Sequence, residues 1–261
     1  MKLKNILYAL AVPFVLSAFA ACSDIDENER LQYVEPEQSG RRVLIEDFTG
    51  QNCINCPTAT ELIGSLQEEY GHDTIIAVGI HSGPLSIPER VPGSLKTKEG
   101  QEYFDNWKPS SQPMGVLNRK SGIVNTDKWS TLVNEYSKEV TPVEMEIETM
   151  FDADAKQIKA HVKAFSGKPV SGKLQLWITE DGVVAMQRMQ DGTNNKEYVH
   201  NHVFRASVNG TWGEDIQLVD ATTFEKDFTI NVDEKWKGEN IHIVAFIYND
   251  VDGVLQVVRS H

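Results

Sequence analysis

Hydrophobic positions along this chain follow two periods, and the change falls near Pro142. Before it the pattern is α/β. "VLIEDF" (Val43–Phe48) reads as a strand, and "TATELIGSLQEEYG" places Ala59, Leu62, Ile63, Leu66 and Tyr70 on one helical face, ended by Gly71. "TIIAVGI" (Thr74–Ile80) is a continuous apolar run of the kind a parallel strand shows when both faces are covered. A polar, proline-rich stretch, "HSGPLSIPERVPGS", leads to a weaker helix near Leu95 to Trp107 and then to "QPMGVLNR". "NTDKWSTLVNEYSKEV" sets Trp129, Leu132, Val133, Tyr136 and Val140 on a stripe behind an Asn125 or Thr126 cap.

Beyond Pro142 the period is two. "VEMEIET" sets Val143, Met145 and Ile147 against Glu144, Glu146 and Glu148. "IKAHVKAF", "KLQLWI", "DFTINV", "IHIVAFIYND" and "VLQVV" continue the alternation, with "DADAK", "EDG" and "NDVDG" as turn signals. Five or more short strands predict an antiparallel β-sandwich of immunoglobulin type, without cysteines to bridge its sheets. The expected organisation is a leader over 1–21, a tether over 22–41, an α/β domain over 42–141 and the sandwich over 142–261.

Lys2 and Lys4 followed by "ILYALAVPFVLSAFA" read as an export signal, too short and badly flanked for a membrane span. The run ends in "FAACS", which resembles a bacterial lipobox. That resemblance makes Cys22 the mature N-terminus and a lipid thioether, with amine acylation adding the further chain that stable anchoring needs. "SDIDENERLQYVEPEQSGRR" has no hydrophobic period and reads as a solvated tether. An acidic run directly behind a lipidated cysteine resembles a surface-export signal; a plain spacer fits the same residues.

Removing 1–21 takes two lysines and no acids, so 25 basic and 38 acidic residues become 23 and 38, a net charge of −15. That acidity excludes nucleic acid as an expected partner and leaves membrane attachment to the lipid rather than to a basic patch.

With Cys22 lipidated, two of the 3 cysteines remain, Cys53 and Cys56, in an oxidising compartment. A disulfide across so short a loop restrains little chain, so a purely structural role explains the pair poorly. C-x-x-C serves zinc half-sites and disulfide reductases alike, and context separates them. Here it lies between a hydrophobic strand and an amphipathic helix, the setting of a redox motif. Unpaired N–H groups at the helix start favour a thiolate on Cys53, which makes Cys53 the nucleophile and Cys56 the resolving thiol. Pro57 bears on this: at the first helical position it would leave Cys53 just outside the helix, whereas in a helix that begins at Cys53 it would cost a hydrogen bond and kink the first turn.

Residues 40–141 thereby resemble the thioredoxin superfamily. Beside "CINC", Asp47 lies six residues before Cys53, where the family carries a buried acid that handles a proton for the resolving cysteine. Pro113 in "SSQPMG" resembles the cis-proline that faces the disulfide, and the resemblance implies that Gln112–Pro113 presents backbone to a substrate chain. Asn52 replaces the usual tryptophan, and Ile54–Asn55 the usual Gly-Pro.

A zinc site would need two further ligands, from His72 and His81 or from His200 and His202, and no second cysteine pair exists, so no metal and no cofactor is expected. His200 and His202 in "YVHNHVFRA" are expected on one face of a strand as surface or interdomain residues. His81, at the end of an apolar strand, falls on the active-site side.

Taken together, "EDFTGQNCINCP", "VGIHSG", "QPMGVLNR" and "YVHNHVFRA" resemble the Omp28-like outer-membrane lipoproteins of Bacteroidetes. The resemblance implies a lipid-anchored thioredoxin-like domain joined to a β-sandwich, at the outer membrane on its periplasmic or surface face, with a suggested adhesin or receptor role. Two functions follow as expectations. One is a thiol-disulfide oxidoreductase whose partners are protein thiols or disulfides; the other is a binding protein for a surface ligand with a non-catalytic fold.

Overall fold

The computed structural model describes residues 39–261; the leader, Cys22 and most of the tether lie outside them. Within the described residues the chain is mostly β-structure with few helices. In order it forms β1 (Ser39–Gly40), β2 (Val43–Thr49), α1 (Cys56–Tyr70), β3 (Ile75–His81), α2 (Lys98–Trp107), β4 (Met114–Leu117), β5 (Ile123–Asn125), α3 (Trp129–Tyr136), β6 (Val140–Thr141), β7 (Val143–Asp152) and β8 (Gln157–Ser166). There follow β9 (Val170–Glu180), β10 (Val183–Arg188), β11 (Asn194–His200), β12 (Val203–Ser207), β13 (Glu214–Leu218), β14 (Phe224–Asn231), β15 (Ile241–Asn249) and β16 (Gly253–Arg259).

The two stretches with different hydrophobic periods share one sheet. Nine strands form it, with the order β16-β15-β9-β12-β3-β2-β4-β5 and β13 paired to β9. The join is β12, antiparallel to β9 on one side and parallel to β3 on the other, at Val203 opposite Gly79, with Gly79 N–H donating to the His202 carbonyl at 2.8 Å. β2 and β3 run parallel, as the unbroken apolar runs predict.

Three cores follow from how this sheet is covered. Ala59, Ile63 and Leu66 of α1 and Trp129 and Val133 of α3 pack over Val43, Ile45, Ile75 and Ala77. On the opposite face the sheet curls until β16 meets β2, with Val254 N–H donating to the Asn118 carbonyl at 2.7 Å and Arg42 N–H to Gln256 Oε1 at 3.1 Å. The space so enclosed holds Phe48, Tyr103, Trp177, Phe204 and Phe246. The third core lies between β9, β15 and a separate antiparallel sheet, β14-β8-β7, which presents Val143, Met145, Ile158, Ala160 and Val162 inward. Glu144, Glu146 and Glu148 face solvent, which is why β7 alternates so cleanly in sequence.

Two expectations are corrected. The α3 stripe stops at Tyr136, and Val140 leaves the helix to pair with Gly40 across β6 and β1, 60% exposed. The segment beyond Pro142 is a sandwich only in part, because one of its layers belongs to the shared sheet.

Candidate functional site: a capped dithiol beside a polar chamber

β2 ends at Thr49, and the next residue is Gly50, where a side chain has no room. A Cβ on Gly50 would lie 2.6 Å from the Leu85 carbonyl carbon and oxygen. This close approach lets Asn52 N–H donate to the Leu85 carbonyl at 2.8 Å, while Cys53 N–H returns to the Gly50 carbonyl at 3.0 Å. Helix α1 begins at Cys56, with Asn55 as N-cap, no side-chain capping bond, and Pro57 in the first turn. Cys53 therefore stands just before the helix, so the dipole acts on it more weakly than on a residue of the first turn. Cys53 and Cys56 are joined in a disulfide, their Cα atoms 5.4 Å apart.

Both cysteines are covered, at 1% and 2% exposure. On one side Cys53 Sγ approaches the Gln112 carbonyl oxygen at 3.4 Å, and the Gln112–Pro113 peptide is cis. The Gln112 side chain is committed to the scaffold: Nε2 donates to the Thr49 and Ser82 carbonyls at 2.6 and 3.0 Å, and Oε1 accepts from Leu85 N–H at 3.3 Å. Only the main chain of Gln112 faces the sulfur.

On the other side the cover is the β10–β11 hairpin. Gln187 Nε2 donates to the Cys53 carbonyl at 2.8 Å, Arg188 N–H to the Gln51 carbonyl at 2.8 Å, and Gln51 Nε2 to the Met186 carbonyl at 3.1 Å. Gln190 Nε2 adds a bond to Thr58 Oγ1 at 3.0 Å. Backbone and amide groups on both partners are thus paired across the seam, as burial demands.

Between the hairpin, α1 and β3 lies a cavity of about 130 Å³ lined by Asp47, Cys56, His81, Gln187, Tyr198 and His200, among others. Sheet register explains its position. Asp47 is central, opposite Gly79 on β3 and Gly115 on β4, and His81 is two residues beyond Gly79 on the same face. Burial pushes the Asp47 carboxyl up to about 7. Burial also holds His200 down to about 4 and His81 well below the usual imidazole range, the His200 ring adding to the effect on His81. The two rings meet edge to face, with centroids 5.2 Å apart. Asp47 Oδ1, His81 Nδ1 and His200 Nε2 are buried and have no hydrogen-bond partner within the protein.

The structure thus brings together Cys53, Cys56, Asp47, Gln112 and Pro113; Cys22 lies outside the described residues. His72 is exposed before the opposite end of β3 from His81. His200 and His202 do not share a strand face as expected: His200 closes β11, and His202 follows it with a left-handed backbone, φ 57°. Among the described residues no three His, Cys, Asp or Glu side chains are placed to hold a metal ion. Gln51, Gln187 and Tyr198 were not singled out by sequence pattern. The legible signal was Asp191–Gly192, a hairpin dipeptide between two short runs, with Gly192 at φ 83°.

Fold and site together define a β-rich protein with a buried dithiol at the seam between its two stretches. The family model for outer membrane protein Omp28 matches residues 100–261, and the chain belongs to that family. Among solved structures, HBP35 of Porphyromonas gingivalis superposes with a TM-score of 0.66 at 14% identity, over 84% of this chain and 74% of that one, a likeness of fold. A domain of the outer membrane lipoprotein Omp28 from Porphyromonas gingivalis is 25% identical, over 46% of this chain and 88% of that one, with a TM-score of 0.33. No curated protein matches. No helix among the described residues is long and apolar enough to cross a membrane.

Proposed function

We propose that this Omp28-family chain is a thiol-disulfide oxidoreductase with a thioredoxin-like redox half, anchored to the outer membrane through a lipid on Cys22. In the reduced form the Cys53 thiolate attacks a substrate disulfide R–S–S–R′. A Cys53–S–S–R mixed disulfide forms, and R′–S⁻ leaves and takes a proton. Cys56 then gives its proton to the Asp47 carboxylate and attacks the Cys53 sulfur. The Cys53–Cys56 bond forms, R–S⁻ leaves and is protonated, and two electrons have passed to the substrate. Gln112–Pro113 presents main chain to the incoming peptide.

The observation that carries this reading is Asp47. An unpaired buried carboxyl is costly, and a fold that needed only a staple gains nothing by keeping one in the same cavity as Cys56. Its raised value near 7 suits an acid that takes and returns a proton at neutral pH.

The burial of both sulfurs supports the second reading, a surface adhesin or receptor whose dithiol is inert. Reduction of insulin by dithiothreitol separates the two. The wild type accelerates it and Cys53→Ser does not; equal rates leave the binding protein. For the anchor, cells fed a tagged fatty acid label the wild type and not Cys22→Ala. A labelled Cys22→Ala protein removes Cys22 from the proposal.

A further inference from the structure

The chamber behind Cys56 is built from both stretches of the chain, and its chemistry is unbalanced. Burial keeps the His81 and His200 rings neutral, and they meet edge to face with centroids 5.2 Å apart. A neutral imidazole carries one N–H and one lone pair, so each ring nitrogen can bond a water. His81 Nδ1 and His200 Nε2 are buried there with no hydrogen-bond partner within the protein. Asp47 Oδ1 and His202 Nδ1, the latter 3.3 Å from Asp181 Oδ1, also lack a hydrogen-bond partner, so imidazole nitrogens and one exchangeable acid line a space of about 130 Å³. A polar cavity of that size takes water, which bonds to several such groups at once.

We propose that His81 and His200 are positioning residues for the proton of Asp47: their unpartnered inward nitrogens hold chamber water, and that water carries the proton Asp47 takes from Cys56 out to solvent. This rests on the redox reading of the dithiol and adds residues from the β-rich stretch to it. The path has chemical steps at each end. Cys56–S–H loses its proton to the Asp47 carboxylate, and the protonated carboxyl returns to carboxylate by passing that proton along chamber water to solvent, where the released R–S⁻ is protonated. The other groups on the chamber are consistent with a neutral path. Tyr198 packs on His200 with centroids 4.7 Å apart, and His202 lines the wall. Arg205 lies close enough to disfavour protonation of either histidine.

The test is His200→Asn in the full-length protein, which deletes Nε2 and keeps a polar side chain at the position. Two quantities are read: the rate at which Cys56 resolves a preformed Cys53–glutathione mixed disulfide, and the infrared carboxyl titration of Asp47. Resolution at neutral pH is expected to slow about ten-fold, at the low end for a proton-handling group, and Asp47→Asn/His200→Asn to be no slower than Asp47→Asn alone. The Asp47 midpoint is expected to fall, because the protonated acid loses an acceptor. A rate within two-fold of wild type, or slowing that multiplies with that of Asp47→Asn, overturns the proposal. If the wild type resolves nothing, the oxidoreductase reading fails separately, and an unmoved Asp47 midpoint then overturns the chamber as well.

Discussion

Gln187 holds the carbonyl of Cys53 from above, at 2.8 Å, and in doing so lays the β10–β11 hairpin over the disulfide. The same amide reaches the Arg188 carbonyl at 3.1 Å, and Gln187 itself is only 2% exposed. A reductant must therefore meet a sulfur that is hidden until this seam opens. Removing the amide takes away its hydrogen bond and leaves the Cys53 carbonyl short of a donor, a change of about 1 kcal/mol in the closed state. Gln187→Ala is expected to raise the rate of disulfide reduction by dithiothreitol several-fold, measured by quenched thiol alkylation and mass spectrometry. An unchanged rate would mean that the hairpin does not limit access.

Asp47 makes stability depend on pH with a definite sign. Its pKa is about 7 in the fold against 3.8 for a solvated aspartate carboxyl, so the folded chain holds this proton more tightly than the unfolded one. The stability it allows is full below 3.8, is lost as pH rises toward 7, and loses nothing further above that. His81 and His200 act oppositely: both are depressed, so their burial costs most in acid and nothing once the unfolded imidazole is neutral above 6.5. The wild-type curve is flattened by this opposition, and Asp47→Asn isolates the acid. Denaturant unfolding is expected to show the variant gaining on wild type from pH 4 to 8, by on the order of 2 to 4 kcal/mol at the upper end. A constant difference across that range would show that the carboxyl does not titrate there.

Much of this site was legible because its inner wall is made of regular elements. Asp47, Cys53 and Cys56 stand at fixed offsets on a strand, a turn and a helix start. The strand period also placed the buried faces of β7 and β8, whereas β9 and β15 are buried on both faces along most of their length. The hairpin was not legible for a physical reason. "NNKEYVH" is polar on most positions because β11 pairs only with β10 and leaves Asn194 through Glu197 exposed, so no alternation marks it. The shared sheet was equally hidden, since β12 joins β3 through a single residue pair, Val203 and Gly79, and such a contact has no sequence signature. His200 reaches His81 only as a consequence of that join.

Gly50 is the tightest point of the dithiol loop. An added Cβ would meet backbone rather than a side-chain tip, so the Leu85 strip that caps Asn52 has to move. Gly50→Ala is expected to cost roughly 1 to 3 kcal/mol, as overpacking does, and to speed the alkylation of reduced Cys53 at the same time. Thermal unfolding and alkylation rate together check this. Destabilisation without faster alkylation would place the strain elsewhere than over the sulfur.

Arg119 ties the two stretches of the chain together from inside the curl. It follows β4 with a left-handed backbone, φ 51°, and its Nε donates to Glu46 Oε1 on β2 at 2.8 Å, the two side chains 4% and 0% exposed. Its guanidinium lies 4.3 Å from the Tyr248 ring centre, 4.9 Å from Phe246 and 5.3 Å from Trp177, all on β9 and β15. Removing the arginine alone strands a buried carboxylate and empties an aromatic cage. Arg119→Met is expected to cost roughly 3 to 5 kcal/mol, while Glu46→Leu/Arg119→Met regains most of it, because no unpaired charge is left. The cycle is read by denaturant unfolding followed at two wavelengths, tryptophan emission and far-ultraviolet dichroism. Since Glu46 and the cage share one sheet, both probes are expected to shift together in every variant. Transitions that separate would show that the two stretches melt independently and that the arginine is not their clasp.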